Sequence, residues 1–427
     1  MIYQPSSSFQ SLRSDDRGLS FYSPSARDLL PLDVAQKRWV EKGLQQVFHR
    51  WGYHRIITSS LERLDTLMAG GAIQPSTVIQ IDDAEEGILG LRPELTASIA
   101  RASVTRLGAV YPQRLYYNAN VFRRSPVGDH GRQQEFYQAG VELLGAGGVL
   151  ADAEILLLLA DCLHGLGLDR WHLILGDAGL TRSLLASFPT HLQEKIRFCI
   201  ANLDRITLET LELSPEQRDL ALFLFDLRGY PEDVLQKLAG LELDEAGIKI
   251  VNNLKSLIQL LKESSTNPLP LTLDLSLIQT FDYYTGIVFE VVSNMDSQAR
   301  VVGQGGRYDR LLGLYHPQGK DYPGIGFSLN IEDLHQVLLS QGQILCEPPT
   351  NDWLVVATTP QAEAAAFGYA QKLRDSYHLV RVEMDLGGRE PEKIREYARS
   401  RRIKTVAWVA VEGTPEIEVI KQLTVGS

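Results

Sequence analysis

The chain has 427 residues, 44% hydrophobic and 22% charged, with 42 lysines and arginines against 53 aspartates and glutamates, a formal charge of −11. That length calls for more than one domain of about 100–200 residues, and the composition is that of an ordinary globular protein. The acidic balance argues against a broad nucleic-acid grip, although a local basic patch would escape that argument. No apolar run reaches the roughly 18 residues of a membrane helix; the longest candidate, Ile155 to Ala160, lies between Glu154 and Asp161.

Residues 1 to about 33 are polar and Ser-rich, without the basic and apolar regions of a signal peptide. Val34, Trp39, Leu44, Val47 and Phe48 then recur at helical spacing, predicting a helix over Asp33 to Trp51. Strands are predicted over Gln113–Phe122 and Glu135–Leu144, around a polar loop holding Pro126, Gly128 and Gly131. A helix follows from Asp152 to about Leu166. Between Leu180 and Glu263 leucines recur at helical spacing and Ser214-Pro215-Glu216 reads as a helix start, so this stretch is a helical insertion, about 180–265. Strands resume at Leu271–Leu275 and Gly286–Val292. A linker over 341–351 separates the core, 1–340, from strand, helix, strand, helix, strand, strand over 352–427, a small α/β domain. Cys162, Cys199 and Cys346 are widely spaced and odd in number, which suits small buried residues in a reducing cytoplasm, with no metal site.

Four clusters carry chemistry. Glu94 and Thr96, taken as one face of a strand, offer acceptors to an ammonium group. Arg123 can hold a carboxylate through two parallel hydrogen bonds. Gln138 and Glu142 lie four apart, so both point to the same side of a strand and can meet an imidazole or an ammonium. Tyr283, Tyr284 and Tyr308 supply rings that wall a planar ligand, beside Gly303-Gln304-Gly305-Gly306-Arg307, which is not a phosphate-binding P-loop because no Gly-Lys-Ser/Thr follows. On spacing alone, ordinary alternatives stand beside each: a solvated strand face, a salt-bridged hairpin, a tight turn between strands.

Taken jointly, Leu91–Ala97, Val121–Arg124, Glu135–Glu142, Asp282-Tyr283-Tyr284-Thr285-Gly286 and Gly305-Gly306-Arg307-Tyr308-Asp309 resemble the class II core of histidyl-tRNA synthetases, over about residues 20–335. The resemblance implies an α+β fold: an antiparallel sheet core with helices and a helical insertion, then a C-terminal α/β domain resembling a degenerate anticodon-binding domain. It also implies histidine contacts at Glu94, Thr96, Arg123, Gln138, Glu142, Tyr284 and Tyr308, with Tyr283 beside them. The departures lie on the ATP side. Gln279 and Asp333 stand where that family has arginines, Gln134 replaces a motif 2 cation, and Ser59 replaces the motif 1 proline.

Loss of one donor to developing charge costs about 10²–10³ in rate, and a carboxylate about 4 Å from a phosphate adds repulsion on the order of 4 kcal/mol. The sequence shows no compensating cation. This pattern is similar to the regulatory subunits of ATP phosphoribosyltransferase, a non-catalytic paralogous family in histidine biosynthesis. That resemblance implies L-histidine as ligand and feedback inhibitor, a dimer, and a hetero-oligomer with the short-form catalytic subunit. No cofactor is expected, and no membrane or tRNA. The alternatives are a divergent histidyl-tRNA synthetase and a histidine/tRNA-binding sensor. The basic run Arg399, Arg401, Arg402 and Lys404 supports either, but equally compensates a helix end.

Overall fold

The computed structural model describes residues 28–69, 73, 75–106, 110–124, 133–265, 268–277, 283–295, 298–344, 350–376, 379–387 and 389–421. Gln279, residues 125–132 of the motif 2 loop and residues 345–349 of the expected linker lie outside them. The chain divides into two compact units, Met1–Leu345 and Cys346–Ser427.

The first unit opens with α1 (Pro31–Arg50), β1 (His54–Arg55), β2 (Leu61–Arg63), α2 (Leu64–Met68), β3 (Ile79–Asp83), β4 (Gly87–Leu91) and α3 (Thr96–Arg106). Next come β5 (Gln113–Phe122), β6 (Glu135–Leu144), α4 (Val149–Gly165) and β7 (Trp171–Asp177). The insertion holds α5 (Ala178–Leu185), α6 (Thr190–Ala201), α7 (Arg205–Thr210), α8 (Pro215–Phe225), β8 (Arg228–Gly229), α9 (Pro231–Leu238) and α10 (Glu245–Ser264). The unit ends with β9 (Leu271–Asp274), β10 (Ile287–Met295), β11 (Gln298–Arg307), α11 (Leu311–Tyr315), β12 (Gly324–Asn330) and α12 (Ile331–Ser340).

Nine strands form one sheet, in the order β1-β5-β6-β12-β11-β10-β7-β9-β8. Its pairs are antiparallel except β1–β5 and β7–β9. The side-chain period of two splits β6 between two cores. Ala139, Val141 and Leu143 enter the large core under α1, α4 and the insertion. Leu144 joins a second core with Leu95, Ile99, Tyr117, Tyr284 and Tyr308 on the opposite face. Gln138 and Glu142 share Leu144's parity, so the sheet carries them to that second face and buries them there.

The apolar run Ile155–Ala160 is the middle of α4, a helix buried on most sides. Among the described residues no helix is long and apolar enough to cross a membrane. Ser214 caps α8, its side chain accepting from Gln217 N. The insertion is not purely helical, since β8 pairs with β9 at its far edge. Cys162 and Cys199 are free and buried.

The second unit is a four-stranded sheet of order β14-β13-β15-β16, with β13 (Trp353–Ala357), α13 (Glu363–Arg374), β14 (Val382–Met384), α14 (Pro391–Ser400), β15 (Thr405–Val409) and β16 (Pro415–Val419). β13 runs parallel to both neighbours and β16 returns antiparallel. Leu354, Val356 and Val406 pack against α14, while Val355, Ala407 and Val409 pack against α13, so the two helices cover opposite faces.

Candidate functional site

A pocket opens on the second face of the large sheet, lined by Glu94, Thr96, Tyr117, Arg123, Gln138, Tyr283, Tyr284, Gln304 and Tyr308. Seven of the eight expected contacts are therefore wall residues, and the eighth, Glu142, bonds directly to two of them.

Glu142 is 1% exposed. Thr96 Oγ1 donates to its Oε1 at 2.8 Å, and the Tyr308 hydroxyl donates to its Oε2. These bonds favour the charged carboxylate, but burial outweighs them, and its pKa is pushed up to about 8. The Cβ of any residue larger than glycine at position 326 would overlap Glu142 Oε2 and the Val141 carbonyl. Gly326 is thus what lets β12 lie against a β6 that carries an inward carboxylate.

Glu94 and Thr96 do not lie on a strand face, as the sequence suggested. Thr96 begins α3, and the Glu94 carboxylate caps it by accepting from Thr96 N at 2.6 Å and Ala97 N at 2.9 Å. Pro93 ends the extended segment, and a carboxylate satisfies the bare amides of the first turn. Burial still raises Glu94's pKa. The glycine-rich segment is not a turn between strands either, because Gly303 to Arg307 continue β11.

Arg123 follows β5 and donates through Nε to the Pro93 carbonyl at 2.9 Å. Burial lowers its pKa, and the Glu94 carboxylate opposes that shift. The tyrosine rings interlock, Tyr283 to Tyr284 at 4.9 Å and Tyr283 to Tyr308 at 5.9 Å between centroids. Burial raises all three phenols, which therefore stay protonated as donors. The pocket thus combines buried carboxylates with the neighbouring Arg123 guanidinium among aromatic walls. The space open to a water molecule's centre is only about 20 Å³, on the order of one water. A ligand as large as an amino acid requires the walls to part.

The cation that the sequence did not reveal is Arg300. It lies on β11 and forms an ion pair with Asp333 in the first turn of α12. The neighbouring Glu332 accepts from the backbone N–H of Tyr137 at 2.9 Å, tying α12 to β6. Arg92 and Arg307 are both engaged within the protein. Arg92 donates to the carbonyls of Thr58, Ser59 and Asn120. Arg307 is held by Asp152, at 2.9 Å from Nε and 2.5 Å from Nη2, and by Asp309 at 3.0 Å. Tyr117, Gln304 and Arg300 escaped the sequence reading. Tyr117 reads as one more apolar strand residue, and Arg300 and Asp333 lie 33 residues apart.

Residues 25–334 match the family model of histidyl-tRNA synthetase. The chain is 63% identical over 422 residues to the ATP phosphoribosyltransferase regulatory subunit of Nostoc punctiforme, covering 99% of this chain and all of that one. The same-named protein of Gloeothece citriformis is 65% identical over 400 residues, 93% of this chain and 98% of its own. A solved ATP phosphoribosyltransferase regulatory subunit/histidyl-tRNA synthetase from Bacillus halodurans superposes with a TM-score of 0.77 at 25% identity, covering 92% and 99% of the two chains. The histidyl-tRNA synthetase of Nostoc sp. PCC 7120, at 20% identity, has the same fold, with a TM-score of 0.74 over 94% and 96%.

Proposed function

The chain belongs to the ATP phosphoribosyltransferase regulatory subunits, a family with the histidyl-tRNA synthetase fold, and we propose that it binds free L-histidine and relays feedback inhibition to the short-form catalytic subunit. The observation that carries this reading is the contrast between the two sides of the site. The amino-acid side keeps Glu94, Thr96, Arg123, Gln138, Glu142 and Tyr308 around one pocket. The ATP side has Gln279 and Asp333 for arginines, and its nearby cation Arg300 is already paired with Asp333.

In this reading Arg123 takes the histidine carboxylate. Glu94 and Thr96 take the ammonium, and Gln138, Glu142 and the tyrosine hydroxyls select the imidazole. Buried acceptors that need a donor reject analogues lacking it far more strongly than an apolar slot would. The protein acts as a dimer bound to the catalytic subunit. Histidine inhibits because it binds one state of that assembly more tightly than the other. Parting of the tyrosine walls would be the local event that distinguishes the two states.

Histidine titrated calorimetrically into the chain should bind, while histidine-dependent ATP–pyrophosphate exchange should stay at background. Exchange above background would instead support a divergent synthetase. Asp333→Arg alone should not restore exchange. It places a second cation beside Arg300, and Gln279 still lacks the other arginine. At least a hundredfold rise in exchange by this variant would show that Asp333 by itself silences the ATP side and that an arginine at position 279 is not needed.

A further inference from the structure

The C-terminal unit holds a cavity of about 600 Å³ that the regulatory reading does not use. Pockets of roughly 300–1,000 Å³ are the size that takes small ligands. Its place in the sheet is also informative. Ala357 to Pro360 leave the carboxyl end of β13, and Met384 to Gly387 leave that of β14. These strands are parallel neighbours, and the helices that follow them, α13 and α14, cover opposite faces. The strand ends therefore part to form a crevice, the place where open α/β sheets bind ligands.

The chemistry of the lining narrows the occupant. The Asp385 side chain is only 4% exposed. Its Oδ2 accepts from Gly387 N at 3.1 Å, while Oδ1 is buried without a hydrogen bond. Arg389 Nη1 stands 3.5 Å from Oδ1, an ion pair without a hydrogen bond, and its guanidinium also lies 3.9 Å from the centroid of the Tyr397 ring. A buried carboxylate oxygen without a donor is costly and marks where a ligand's donor belongs. Glu363 and Glu390 also line the cavity, so three carboxylates face one arginine, a net of two negative charges. The amino ends of α13 and α14 return about +0.5 each, which leaves the crevice negative and hostile to a phosphate. Phe367, Trp408 and Ile394 give it apolar and aromatic walls.

We propose that this crevice binds a small organic cation: an amine on a flat apolar body, with its ammonium donating to Asp385 Oδ1 and its body against Phe367 and Trp408. Phosphate esters and RNA are excluded by the charge.

The test uses the full-length protein and three probes with one ring and different charge: benzylamine, benzyl alcohol and benzoate, followed by ligand-observed NMR. Benzylamine should bind, benzyl alcohol at least tenfold more weakly, and benzoate not at all. Asp385→Asn should weaken benzylamine at least tenfold. Phe367 is 55% exposed, so Phe367→Arg tests the site without touching the core. It places a cation at the wall and should weaken benzylamine by a similar factor. Benzoate binding as tightly as benzylamine, displacement of benzylamine by phenyl phosphate, or unchanged benzylamine affinity in both variants would overturn the proposal.

Discussion

Glu142→Gln is expected to weaken histidine binding at least tenfold and, at the same time, to stabilise the empty protein above neutral pH. The two effects share one cause. In the folded protein the Glu142 pKa is pushed up to about 8 by burial, against its ordinary 4.5. Between these values the folded state holds a proton that the unfolded state has released. Stability is therefore fully present below pH 4.5 and is lost as pH rises through 8. At about 1.4 kcal/mol per unit, the loss over this window totals about 3–5 kcal/mol. Glutamine does not titrate, so the variant escapes it, and the stability difference between the two proteins should grow steadily from pH 5 to pH 8. Chemical denaturation at several pH values reads this directly.

On the proposed reading, bound histidine would restore what burial withholds: its ammonium would bring positive charge to Glu94 and towards Glu142 and favour loss of the Glu142 proton. Affinity should rise with pH up to about 8, and the binding heat should depend on the buffer's ionisation enthalpy. A hydrogen bond to a buried charge contributes about 1.5–3 kcal/mol, so Glu142→Gln should cost about tenfold to more than a hundredfold in affinity. A variant that binds histidine normally and shows the parent's pH profile would remove Glu142 from the site.

The second large effect is expected at Asp152. Its carboxylate is Arg307's principal partner, and the two side chains are 12% and 8% exposed. Asp152→Ala leaves the guanidinium in the interior with Asp309, which is 43% exposed, and a long bond to the Ala146 carbonyl at 3.5 Å. Removing one member of a buried pair costs about 3–5 kcal/mol, whereas replacing both by apolar residues is often neutral. Asp152→Ala should therefore lower unfolding stability by that amount, and Asp152→Leu with Arg307→Met should recover most of it. A single-variant loss below about 1 kcal/mol would mean that Arg307 does not depend on Asp152.

The sequence made some of this architecture plain and hid the rest for physical reasons. β5 and β6 were legible to the residue, because long runs rich in aromatic and β-branched residues end at a loop of Pro and Gly. Ser214 announced α8 through its capping hydroxyl. The class II fold followed from motif order, and the alternation that sends Val141 into the large core turns Gln138 and Glu142 to the opposite face, toward the pocket. The helix start at Thr96 was missed because Glu94 is not one of the usual capping residues, and Leu91-Arg92-Pro93 reads as extended. The Arg300–Asp333 pair was invisible because only the antiparallel pairing of β11 with β12 and the turn into α12 bring it together. The raised pKa of Glu142 was equally hidden, since it depends on burial by elements far apart in the chain.

The proposed function has this chain sense histidine on behalf of a catalytic partner. The most direct test is phosphoribosyl-ATP formation by the short-form catalytic subunit from the same genome, with and without this chain, across a histidine titration. Mixing should stimulate the reaction and histidine should reverse the stimulation, whereas stimulation by the Glu142→Gln chain should resist histidine. Activity that is indifferent to the chain at every ratio, or equally histidine-sensitive without it, would contradict the account.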